Sequence, residues 1–145
     1  PRVRAAQGDA RFMIVGSRPH ARVRALAERP GIVVTGTVPD VRPYLARAAC
    51  VVAPLRVARG VQNKVLEALA MDRPVVASGA AVQGISAGRP IPGCLVAEGS
   101  ERMAAEVCAR LAAPMPSSGG RAFVLERFSW RAQTDRFLAL VEGST

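Results

Sequence analysis

The stretch Arg59-Gly60-Val61-Gln62-Asn63-Lys64-Val65-Leu66-Glu67-Ala68-Leu69-Ala70-Met71-Asp72-Arg73-Pro74-Val75-Val76-Ala77-Ser78 reads as a turn, a helix and a strand in direct succession. Gly60 supplies the turn, because it reaches backbone angles closed to other residues. A short amphipathic helix follows, carrying Lys64 and Glu67 one turn apart. Pro74 then opens an apolar strand that ends at Ala77-Ser78.

Toward the N-terminus the same alternation repeats. Pro1 to Ala10 is small and polar, and is predicted to be the end of a helix. Arg11 to Val15 is nearly continuous apolar sequence ending at Gly16, which suits a central parallel strand buried on both faces. Ser17 and Pro19 start a helix over His20 to Arg29, with Val23, Leu26 and Ala27 apolar and Pro30-Gly31 as its stop. Ile32 to Val38 is a second strand, rich in β-branched residues. Asp40 is the expected N-cap of a helix over Val41 to Ala48, with Val41, Tyr44 and Leu45 on one face. Cys50 to Pro54 is the third strand.

Beyond Ser78 the composition turns to Gly and Ala, and a loop is predicted as far as Gly84-Ile85. Ser86 to Pro92 is broken by Gly88, Pro90 and Pro92. Cys94 to Ala97 is a fifth strand, and Ser100 is the expected cap of a helix reaching Leu111, with Met103, Ala104, Val107 and Leu111 inward. After a breaker-rich connection from Pro114 to Gly120, two helices follow at Arg121 to Arg127 and Ser129 to Val141. Ser129 caps the second, and Trp130, Phe137, Leu138 and Val141 are its expected packing residues.

Strand and helix thus alternate throughout. The pattern predicts an α/β domain with a Rossmann-like parallel β-sheet, helices on both faces and right-handed crossovers. In such sheets ligands bind at the carboxyl ends of the strands, so the loops after Val15, Thr37, Pro54 and Ala77 are expected to share one rim.

Composition narrows the class. A chain of 145 residues, half of them apolar, is the size of one domain and buries a real core. No apolar run approaches the ~20 residues that cross a bilayer. Pro1-Arg2-Val3-Arg4 leads into no apolar signal segment and reads as if cut from a longer chain. Cys50, Cys94 and Cys108 lie far apart in apolar surroundings and show no metal spacing, which fits buried free thiols in a reducing cytoplasm. The formal charge of +9 comes from arginines spread over every segment, with Lys64 the one lysine. Aromatics that could stack on bases are scarce, so nucleic acid is not the expected partner. The positive potential suits an anionic small molecule or a peripheral membrane contact.

Two rims offer candidate sites. Gly16-Ser17-Arg18 lacks the three-glycine dinucleotide fingerprint, although Arg18 at a helix start can clamp a phosphate. A solvated arginine in a turn explains the same residues. After the third strand, Gly60 turns the chain and Val61, Gln62 and Asn63 present open amides at a helix start, where an anion and the charge of Lys64 meet. Glu67, on the next turn, can accept two hydroxyl hydrogen bonds from a sugar. An i, i+3 Lys–Glu pair is equally an ordinary surface ion pair worth ~0.2–0.5 kcal/mol. His20 has no evident carboxylate, serine or cysteine partner and is expected to be solvated; Ser78 and Gly79 close the fourth strand, where backbone contacts to a ligand can form.

Val33 to Val38, Tyr44 to Pro54, Gly60 to Ser78 and the ending Glu126-Arg127-Phe128-Ser129-Trp130 resemble the C-terminal donor domain of retaining glycosyltransferases of family 4, which have the GT-B fold. The similarity covers essentially the whole chain and is strongest to bacterial sugar transferases of exopolysaccharide export. The resemblance implies that Glu67 binds the ribose hydroxyls of a nucleotide, and that Val65 and Leu66 fall where backbone amides meet the diphosphate. It places Val38 and Pro39 beside the base and Gly16 and Arg18 near the nucleotide sugar. Arg59 stands where most relatives have a sugar-contacting glutamate, so it is expected to meet the sugar or phosphate in a different way. The implied chemistry is hexosyl transfer, with retention, from a nucleotide-diphosphate sugar to an acceptor hydroxyl. No metal is implied, since helix amides and basic side chains stabilise the leaving diphosphate. A glycan or lipid-linked acceptor would sit on a separate N-terminal domain, leaving this chain inactive alone and the whole enzyme cytoplasmic or peripheral to a membrane. An epimerase acting on nucleotide sugars and a non-catalytic nucleotide-binding module are the competing readings.

Overall fold

Each strand is a short run of apolar residues, and each is paired in parallel, as the alternation predicts. The computed structural model describes residues 1–114 and 119–143. In chain order it contains α1 (Arg2–Ala6), β1 (Phe12–Val15), α2 (Ala21–Arg24) with a following 3-10 turn (Ala25–Glu28), and β2 (Ile32–Gly36). Then come α3 (Arg42–Arg47), β3 (Val51–Ala53), α4 (Asn63–Ala70), β4 (Val75–Ala77), α5 (Gly79–Ser86) and β5 (Cys94–Val96). Three helices finish the chain: α6 (Gly99–Ala112), α7 (Gly120–Phe128) and α8 (Trp130–Val141). Met115 to Ser118, within the predicted breaker-rich connection, lie outside the described residues.

The five strands fall into two parallel groups, β1–β2 and β3–β4–β5. Val51, Val52 and Ala53 pair with Val75, Val76 and Ala77, which pair in turn with Cys94, Leu95 and Val96. Alternation along β4 sends Val75 and Ala77 to one face and Val76 to the other. The first face is the larger core, where Val65, Ala68 and Leu69 of α4 meet Ala53, Ala81, Val82, Ile85 and Phe123. On the second, Val76, Ala97 and Val107 pack with Val3, Val52, Met103 and Leu111. Helices therefore cover both faces, with α4, α5 and α7 on one side and α1 and α6 on the other.

Several local expectations change. The Gly/Ala segment after Ser78 is a helix, α5, since alanine is the best helix former and Ala81, Val82 and Ile85 are buried beneath it. Strand β1 is flanked by one neighbour instead of two, which leaves Phe12 and Met13 45% exposed where a central strand was expected. Ser100 does not cap α6: the helix begins one residue earlier, at Gly99, with no side-chain cap. Asp40 does hold the start of α3, accepting the Arg42 N–H at 2.9 Å, although the N-cap position itself is Val41. Ser129 caps α8 as expected, its Oγ accepting the Ala132 N–H at 3.2 Å. The packing role expected of Trp130, Phe137, Leu138 and Val141 is not observed: all four are exposed, Trp130 at 90%. Helix α8 rests on α7, and its apolar stripe stays largely exposed.

Candidate functional site

The loop after β3 turns at Gly60, whose φ of +65° lies in the left-handed region. Across that turn the Gln62 Nε2 donates to the Arg59 carbonyl at 3.1 Å. Gln62 is also the N-cap of α4, and its side chain caps no amide there. The Val65 and Leu66 N–H groups donate to the Gln62 carbonyl at 2.9 and 3.3 Å. Their amides are thus engaged within the helix, and Val65 is fully buried. The first-turn N–H groups of Asn63 and Lys64 have no carbonyl within the helix to meet. No acidic residue lies in this turn, so the positive helix end stays uncompensated.

Lys64 and Glu67 project from the exposed side of α4, away from Val65, Ala68 and Leu69. Neither takes part in a salt bridge among the described residues, in contrast to Arg2–Glu101 and Arg42–Asp40. The surface pair that spacing allows between Lys64 and Glu67 is therefore not made. Arg59 and Val61 are exposed beside Gly60 on the same loop. At the far end of α4, Arg121 Nη1 donates to the Ala70 carbonyl at 3.1 Å. That contact secures a free C-terminal carbonyl and ties α4 to α7.

The neighbouring loops converge here. The buried Ser78 hydroxyl donates to the Leu55 carbonyl at 2.6 Å, joining the end of β4 to the β3 loop. The Gly79 N–H donates to Glu98 Oε1 at 2.6 Å. The Gly79 N–H, one of the backbone groups at which a ligand contact can form, is thus already taken by Glu98. The amino end of α5 carries a carboxylate, whereas that of α4 carries none.

Residues of the first two loops form a second group. Gly16 donates its N–H to the Gly36 carbonyl at 3.3 Å, which brings the β1 loop beside Val38 and Pro39 after β2. Arg18 is exposed, with a left-handed φ of +46°. No hydrogen bond or ion pair among the described residues joins this group to the α4 loop. His20 is exposed and caps α2, its Nδ1 accepting the Arg22 N–H at 3.3 Å. A salt bridge of 2.9 Å holds Arg42 on Asp40, and the hydrogen bonds from Arg42 keep the Asp40 carboxyl below its ordinary pKa. Both residues serve the start of α3.

Burial pushes the Cys94 thiol up to about 11 and raises that of Cys50 as well, so both stay protonated at neutral pH. A hollow of about 230 Å³ beside Cys94 and Arg110 lies at the amino ends of β4 and β5, opposite the loops described above. Sequence reading missed Glu98, Leu55, Gly84 and Arg121 in this region. Of these, Gly84 alone left a trace, as the residue where the loop predicted after Ser78 ends.

Parallel strands in two groups, covered by helices, define a Rossmann-like α/β fold. The chain belongs to the family described as "Glycosyl transferases group 1", whose sequence model matches residues 1–113. Among solved structures it is similar to AviGT4, a glycosyltransferase involved in avilamycin A biosynthesis, with a TM-score of 0.67 and 19% identity over 99% of this chain. The chain spans 47% of the length of that enzyme, and the likeness is one of fold. No curated protein matches the sequence. Among the described residues no helix is long and apolar enough to cross a membrane.

Proposed function

We propose that this chain is the donor domain of a retaining GT-B glycosyltransferase of family 4, binding a nucleotide-diphosphate sugar at the amino end of α4. The observation that carries the reading is the pairing of an uncapped helix end with two unpaired charges, Lys64 and Glu67, at the carboxyl edge of β3. Amides of Asn63 and Lys64 and the Lys64 ammonium face the diphosphate, and Glu67 accepts the ribose hydroxyls. Arg59, Gly60 and Val61 border the sugar. Val65 and Leu66 act indirectly, holding α4 in place through the core and the Gln62 carbonyl. Gly16, Arg18, Val38 and Pro39 complete the donor pocket from the β1 and β2 loops.

In this reading leaving-group charge is met by helix amides and basic side chains, with no divalent metal. The whole enzyme transfers a hexosyl group with retention to a glycan or lipid-linked hydroxyl held by a separate domain. It works on the cytoplasmic side of a membrane, in exopolysaccharide or cell-surface glycan synthesis.

The deciding experiment is calorimetric titration of the intact protein with UDP and GDP, with and without chelator. Saturable binding of one of them, unaffected by chelator, supports the reading. Absence of binding to both removes it. Isomerisation of a sugar nucleotide without any acceptor would instead place the protein among epimerases.

A further inference from the structure

Helix α5 touches the β3–α4 loop at both of the loop's ends. At the near end, Ser78 directly precedes α5 and its hydroxyl donates to the Leu55 carbonyl at 2.6 Å and to the Ala53 carbonyl at 3.4 Å. At the far end, Gly84 lies backbone against backbone on the turn before α4. A methyl group added at Gly84 would overlap the Gly60 carbonyl oxygen, with the Gly60 carbonyl carbon 2.6 Å away and the Val61 nitrogen 3.1 Å away. These obstacles are main-chain atoms and cannot swing aside as a side-chain tip can. Gly60 itself is different: a Cβ there would meet nothing within 4 Å, so it is retained for its φ alone.

We infer that α5 is the mould of the donor loop, with Gly84 as the positioning residue that sets where Gly60, Val61 and the amino end of α4 stand. The word donor rests on the function proposed above; the moulding itself does not. Helix α5 is a firm support, because Ala81, Val82 and Ile85 anchor it in the same core as Val65 and Leu69 of α4. Glycine normally weakens a helix relative to alanine, and here the missing methyl group is the condition for the loop's close approach.

The test compares the intact protein with its Gly84→Ala and Gln83→Ala variants; Gln83 is the exposed neighbour on α5. Two quantities are read: hydrogen exchange in residues 55–62 against that in residues 75–77, and affinity for UDP and GDP. Gly84→Ala is expected to raise exchange in the loop, leave β4 protected and weaken nucleotide binding about tenfold or more, since small misplacements of binding groups are costly. Gln83→Ala is expected to change neither. Unchanged loop exchange in Gly84→Ala overturns the inference, and so does raised exchange with unchanged affinity. Should the parent protein bind neither nucleotide, the proposed function fails while the exchange arm still decides the moulding. If Gly84→Ala does not fold, Ser78→Ala removes a single hydroxyl from the near end, and unchanged loop exchange in that variant overturns the inference as well.

Discussion

Lys64 and Glu67 stand one helical turn apart on the exposed face of α4 and do not form an ion pair. Spacing alone favoured such a pair, which would make both residues ornaments of a solvated surface. Left unpaired beside an uncapped helix end, each charge keeps its full capacity for a ligand.

Replacing Glu67 therefore tests function apart from stability. Glu67→Ala should lower UDP or GDP affinity by about tenfold, the equivalent of ~1.4 kcal/mol of lost charge-assisted hydrogen bonding. Its unfolding free energy from urea titration should stay within about 0.5 kcal/mol of the parent, as for other surface changes. Unaltered affinity in calorimetry would exclude Glu67 as the ribose ligand.

Gly60→Ala probes the turn. With no atom within 4 Å of the added Cβ, the cost arises from the backbone angle alone. Alanine held at φ near +65° should destabilise the protein by about 1–2 kcal/mol in urea unfolding. A cost near zero would mean that the turn can relax to another conformation.

Leu69 is fully buried between α4 and the strands. Leu69→Ala should cost about 2–5 kcal/mol, through lost transfer energy and a residual cavity. Leu125→Ala, at a site 56% exposed, should remain within about 0.5 kcal/mol. Thermal melts of the two variants separate these outcomes.

Cys94 gives a pH dependence of known sign. Burial raises its folded pKa to about 11, above the ordinary thiol value of 9.0. The unfolded chain thus releases this proton first as pH rises, and the stabilising contribution of the protonated thiol declines above about pH 9. Iodoacetamide labelling of Cys94 at pH 8 should be far slower in the native protein than in urea. Equal rates would show that the site opens readily.

Trp130 is the single tryptophan and is 90% exposed. Acrylamide should quench its fluorescence almost as fully as that of free indole, in this chain studied alone. Strong protection from quencher would show that α8 folds back onto another surface.

Much of the architecture was legible from residue order. Short apolar runs marked β3, β4 and β5, and Pro74 and Gly60 punctuated the unit around α4, because strand and helix periods are local properties. The α5 segment escaped notice for the same reason: a run of Gly and Ala has little contrast between faces, and its helical state depends on Ala81, Val82 and Ile85 meeting the core. The stripe of Trp130, Phe137 and Val141 located a helix correctly but could not say whether anything covers it.

The site divides in the same way. Residue types and spacing determined that a turn, an open helix end and a cation and carboxylate one turn apart occur together between Arg59 and Ser78. Tertiary structure alone decided that Lys64 and Glu67 stay unpaired, that Glu98 takes the Gly79 amide, and that Gly84 closes on Gly60. Such relationships join backbone atoms and side chains from separate segments of the chain. Their energies depend on distances that come into being when helices pack on the sheet, and no local period encodes them.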